Sequence, residues 1–164
     1  MDEKAITQYI ADTFAGVDVV VASAENGAPE AAWGDSFFIY DPNQNLPPER
    51  RLPFATLVTQ DYAGFDTASE LSRPGVFRLN IDVGRDAYHR LFGPPPPPGA
   101  PAPAEAGHDF AALDRVMPHP VYARQLWVSV LNPSAATFEA EVKSLLADAY
   151  DLAVKRFARR SKYD

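Results

Sequence analysis

FATLVTQDYAGFDTASELSRPGVFRLNI, residues 54–81, holds two strand-like runs kept apart by a loop. FATLVT (54–59) and VFRLNI (76–81) are rich in the β-branched, aromatic and aliphatic residues that suit a half-buried pleated surface. The residues between them read as a polar loop and not as a crossover helix. Strands that follow one another without crossover helices favour an antiparallel sheet. The loop itself carries Asp61, Tyr62, Phe65, Asp66, Thr67, Ser69 and Arg73. An ordinary surface loop has no need of two aromatics and so many hydrogen-bonding groups, and binding residues concentrate on loops held by rigid strands.

Working outward, residues 3–15 set Ile6, Tyr9, Ile10, Thr13 and Phe14 on one helical face, with Gly16 as a stop. VDVVVAS (17–23) reads as a strand, and Glu25-Asn26-Gly27 as a tight turn into EAAWGDSFFIYD, so residues 17–41 are predicted to form a hairpin. A short helix is expected over 84–92. The run Gly93-Pro-Pro-Pro-Pro-Pro-Gly99 then opens a proline-rich insertion at 93–107, a spacer rather than a PxxP recognition ligand. HDFAALDRVM suggests another helical turn or two, QLWVSVL (125–131) a strand, and Ser134 the cap of a last helix with Phe138, Val142, Leu145, Ala149, Leu152 and Ala153 as its buried stripe. The order predicts an α+β fold in a single domain, 1–164: an antiparallel β-sheet packed against N- and C-terminal helices.

Composition removes several classes of function. The chain has 164 residues, 46% hydrophobic and 23% charged, with no cysteine, so disulfides, cysteine nucleophiles and Cys-based metal sites are excluded. No signal peptide and no apolar run of membrane-spanning length is present, which predicts a cytoplasmic protein without membrane contact. Net charge is −7, and the basic tail 155–164 carries +4 of its own, leaving −11 on the body. An acidic body makes nucleic acid an unlikely partner. The tail's cations have a structural use at a helix C-terminus. There is no glycine-rich phosphate loop, no G-x-S-x-G elbow and no metal-ligand spacing; no cofactor and no metal are expected.

The candidate site residues follow from chemistry and spacing. His119 lies between two prolines in PHPVY, which fix its direction, and it is a candidate general base. Asp61 and Asp66 bracket one tight loop; Asp61 is the candidate acid–base group, while Asp66 reads as a cap or Asx turn. Period-two geometry sets Trp33, Asp35, Phe37 and Ile39 on one strand face and Arg78 with Asn80 on another. A buried Arg-x-Asn pair requires a carboxylate partner, for which Asp35 is the candidate, or an anionic ligand. Trp33, Phe37, Tyr62, Phe65, Tyr122 and Trp127 would line a pocket oriented by Asp35, Arg78, Asn80 and His119.

GAPEAAWGDSFFIYDP, FATLVTQDYAGFDTASELSRPGVFRLNI and PHPVYARQLWVSVLNP together resemble the hallmarks of an actinobacterial family of unknown function, over most of the chain. The last of these segments, followed by a turn and a helix bearing Tyr150, also resembles the C-terminal half of MmcQ/YjbR-like proteins. That second resemblance implies a curved antiparallel sheet against terminal helices. It also implies either DNA binding through paired wings or a place beside natural-product pathways. The chain departs from that group in lacking basic residues across its sheet and in its proline-rich insertion. Three functions are therefore expected to compete. The first is a small-molecule-binding protein of specialised metabolism, serving in sequestration, resistance or as a pathway accessory. The second is a cofactor-independent enzyme using the same pocket, and the third a DNA-binding protein. An apolar sheet edge beyond VFRLNI would support a homodimer.

Overall fold

A computed structural model describes residues 1–99 and 107–162. The N-terminal helix α1 (Glu3–Thr13) starts at Asp2, whose carboxylate accepts from the Ala5 N–H, and buries Ile6 and Ile10. The sheet is formed by β1 (Val17–Val21), β2 (Ser36–Tyr40), β3 (Ala55–Val58), β4 (Arg78–Asp82), β5 (Val116–Pro118) and β6 (Trp127–Leu131). Its order is β1-β2-β3-β4-β6-β5, and every pair is antiparallel. The α2 helix (Gly84–Phe92) follows β4. The C-terminal helix begins with one turn, α3 (Ala135–Thr137), capped by Ser134. It passes through a π-helical turn (Phe138–Val142) and continues as α4 (Lys143–Ser161). No helix among the described residues is long and apolar enough to cross a membrane.

Alternation along the strands divides the sheet into two unlike faces. Phe38, Leu57, Leu79, Ile81, Val128 and Val130 share one core with Ile6, Ile10, Phe138, Val142, Leu145 and Leu146 of the helices. Tyr150 closes the core at one end, its ring against Phe14, Phe54 and Tyr40 and its hydroxyl donating to the Ala15 carbonyl at 2.6 Å. The opposite face presents Phe37, Thr56, Val58, Arg78, Asn80 and Ser129. A second, smaller cluster covers part of it, with Leu71, Phe110, Met117 and Leu131 around Val58.

Several expectations change. The β1–β2 pair exists, with Val17 opposite Tyr40, but its connection is not a tight turn. Two 3-10 turns, Ala24–Asn26 and Glu30–Ala32, intervene, and the second strand begins only at Ser36. Gly34, with φ near +90°, ends the extended path, so Trp33 lies outside the strand. HDFAALDRVM is not helical; its end is β5, whose Pro118 is tolerated because β5 is a sheet edge. No edge lies directly beyond VFRLNI: β4 pairs with β6 and the sheet runs on to β5, which removes the stated basis for a homodimer. Residues 100–106 of the proline-rich insertion and 163–164 of the tail lie outside the described residues, while the tail is helical through Ser161.

Candidate functional site

The polar face of the sheet has a core of its own, built on Arg78. This side chain is only 1% exposed. Its Nη1 and Nη2 donate to the two carboxylate oxygens of Asp66 at 3.0 and 2.5 Å, Nη1 also to Ser69 Oγ at 2.8 Å, and Nε to Asn80 Oδ1 at 2.8 Å. Four of the five N–H groups of the guanidinium are thereby satisfied, and its charge is neutralised by a two-point ion pair. Asn80 continues the network sideways, donating to Thr56 Oγ1 at 3.0 Å and accepting from Ser129 Oγ at 2.9 Å. These contacts follow from register, since Thr56 and Ser129 flank Asn80 across β3 and β6.

The loop after β3 is pulled down by the same chemistry. Asp66 is anchored on Arg78, and the backbones of Tyr62 and Asp66 bond to each other at 3.0 and 2.8 Å. The Tyr62 hydroxyl donates to Asp35 Oδ2, and the Thr59 N–H donates to Asp35 Oδ1 at 3.0 Å. Asp35 is fully buried. Burial raises its carboxyl above the usual carboxylate range, against the opposing effect of these two donors. Burial, reinforced by Asp35, likewise pushes the Tyr62 phenol well up, so it stays protonated.

The second wall is the β5–β6 connection. Pro118 ends β5, the chain turns through Ala123–Gln125, and Leu126 takes a left-handed conformation before β6. His119 stands at the base of this connection, 2% exposed, with its Nδ1 accepting the N–H groups of Val121 and Tyr122 at 3.0 and 2.9 Å. Nδ1 is therefore unprotonated and the proton sits on Nε2. Burial first, and the Arg78 charge second, depress the imidazole to about 3. Its ring lies 4.9 Å from that of Tyr122 and 6.4 Å from that of Trp127.

Between the two walls is a cavity of about 320 Å³, with Thr56, Asp66, Arg78 and Asn80 at its polar floor. Phe37, Pro53, Val58, Tyr62, Phe65, His119, Tyr122 and Trp127 surround it. Phe65 and Tyr122, each largely exposed, approach to 6.1 Å between ring centroids, one from each wall.

Of the residues singled out in the sequence, Phe37, Tyr62, Phe65, Arg78, Asn80, His119, Tyr122 and Trp127 come together here. Three do not line the cavity. Trp33 is exposed, its Nε1 donating to the Ala28 carbonyl at 2.9 Å; Asp61 accepts the Leu71 N–H at 2.9 Å; Asp35 sits behind Tyr62. The partner of Arg78 is Asp66 and not Asp35, and Asp66 is neither a helix cap nor a free turn residue. Thr56 and Ser129 were not among the candidate site residues, nor was Ser69, named only as one of the loop's polar groups. Period two from Asn80 across its neighbouring strands would have found Thr56 and Ser129, whereas nothing local sets Ser69 against Arg78. Among the described residues no three His, Asp or Glu side chains converge as metal ligands would.

Fold and site together define an α+β protein whose antiparallel sheet is packed by helices on one face and roofed by loops over a polar-floored cavity on the other. Residues 1–162 match a family of unknown function, DUF6194, and the chain belongs to it. No curated protein and no solved structure matches the chain.

Proposed function

We propose that the protein binds a small organic molecule in the loop-roofed cavity, and that the part of the ligand held there is uncharged and aromatic. One observation carries this reading: the buried cation on the cavity floor is already neutralised by Asp66, while the walls are mostly aromatic. An anion would find most donors of Arg78 taken; a flat apolar ring would find Phe37, Tyr122 and Trp127. His119 Nε2–H and the remaining Arg78 donor supply orientation toward a ligand acceptor.

The same geometry favours holding a ligand over turning one over. A general base needs an available lone pair, and that of His119 is occupied by two backbone N–H groups. Asp61, the other candidate for proton transfer, is engaged with Leu71 away from the cavity. DNA binding of the MmcQ/YjbR kind gains least support, since the polar sheet face is roofed, its cation is paired and the chain carries −7.

Fluorescence titration with the neutral probe N-phenylnaphthylamine tests the reading. Saturable binding is expected, and Phe37→Trp, which adds bulk inside the cavity, should weaken it about tenfold or more. Absence of binding, or binding indifferent to Phe37→Trp in a folded variant, overturns the proposal.

A further inference from the structure

Trp127 and Pro53 border a second cavity as well as the first. This outer cavity, of about 340 Å³, lies at the end of the sheet where β2 and β4 finish and β3 and β6 begin. Tyr40, Phe54 and Asp82 contribute to it from the strand side, and Arg156, Phe157 and Arg160 from the last turns of α4. Its charge is unlike that of the inner cavity. Arg156 Nη1 is held by Asp82 Oδ2 at 2.6 Å, but Arg160 has no ionic partner among the described residues. An unpaired guanidinium beside aromatic rings is a receptor for a planar anion such as a carboxylate or sulfonate, which it can meet with two parallel N–H groups. The surrounding protein is acidic overall, so an anion gains from this place only by direct contact with the arginine.

We propose that the two cavities are compartments of one bipartite site, divided by Trp127 and Pro53, for an aromatic molecule that bears an anionic group. The ring occupies the inner compartment and the anion reaches Arg160 in the outer one. This rests on the small-molecule reading above and adds the ligand's charge and the place that recognises it. It also assigns a binding role to part of the basic C-terminal segment beyond complementing a helix end.

The test compares anilinonaphthalene sulfonate with its uncharged relative N-phenylnaphthylamine on the full chain, titrating both into wild type, Arg160→Gln, Arg159→Gln and Phe37→Trp. Arg159 is exposed, does not line the cavity, and gives the same change in net charge. The sulfonate is expected to bind about tenfold more tightly than the neutral probe at low salt, the size of one charge-assisted contact. That advantage should vanish in Arg160→Gln, survive in Arg159→Gln and shrink as salt is raised, while the neutral probe ignores both arginine variants. Equal affinity for the two probes, or an advantage that Arg159→Gln removes as well as Arg160→Gln, overturns the bipartite site and leaves the inner-cavity reading standing. Failure of both probes to bind, or indifference of both to Phe37→Trp, overturns the inner-cavity reading and this proposal with it.

Discussion

Leu79 and Arg78 are neighbours in β4, yet they belong to two different kinds of interior. Leu79 points into a core that helices cover, where apolar side chains meet and no direction is imposed on the contacts. Arg78 points into a core that loops cover, where almost every contact is a directed hydrogen bond. The first interior is stable whatever its occupant's exact shape, within limits of volume. The second exists only while its partners are all present, and it leaves room beside them. A sheet with one face of each kind separates the holding together of the fold from the shaping of a cavity.

Substitution of the two neighbours breaks this comparison most severely. Arg78→Ala leaves the Asp66 carboxylate buried without its cation, an expected loss of about 3–5 kcal/mol. Leu79→Ala, a cavity in the helix-covered core, should cost about 2–5 kcal/mol. Urea denaturation measures both, and similar losses are expected. Their effect on probe binding should differ: folded Leu79→Ala keeps the wild-type affinity for N-phenylnaphthylamine, and Arg78→Ala loses it. Equal effects on binding would erase the distinction between the faces.

pH sharpens the contrast. His119 in the folded protein is depressed to about 3 from its ordinary 6.5, so the unfolded chain takes up a proton that the folded chain refuses. The stability this represents is fully present above 6.5 and is lost as pH falls toward 3. Between pH 7 and pH 5 the loss amounts to about 2 kcal/mol. In His119→Gln that part of the slope should disappear, whereas Leu79→Ala should keep it. Denaturation curves at the two pH values decide the matter.

The smallest effect is expected at Asp61. Asp61→Asn retains an oxygen for the Leu71 N–H, so stability should move by less than about 0.5 kcal/mol and probe affinity not at all. A large change in either would return Asp61 to the site.

The helix-covered face was the more legible in the sequence, for a physical reason. Stripes such as Phe138, Val142 and Leu145, and alternation in VFRLNI, report burial directly, because an apolar side chain needs only to be removed from water. The loop-covered face depends on pairings across distance. Alternation showed that Arg78 and Asn80 share a face and need a partner, but two aspartates were available. Only the path of the loop decides that Asp66 arrives at Arg78 while Asp35 is met by Tyr62. β5 escaped because three residues ending in proline carry no strand signal of their own; β6 supplies the partner that makes them one. Tyr62 and Phe65 were recognisable as aromatics an ordinary loop does not need, and Phe37 by strand alternation, yet Trp33 carried the same alternation and lies outside.

The π-helical turn Phe138–Val142 gives the C-terminal helix two independently set phases. One begins at the Ser134 cap and seats Phe138 in the core; the other seats Leu145, Leu146 and Ala149 and runs on to the arginines. A π turn amounts to one extra residue in an α-helix. Were the same residues to wind as plain α-helix, everything beyond would turn by about 100° relative to the cap. Arg159 and Arg160 differ by that same angle around the axis. Which of the two faces the strand ends is thus decided by one π turn, about five turns upstream of either arginine.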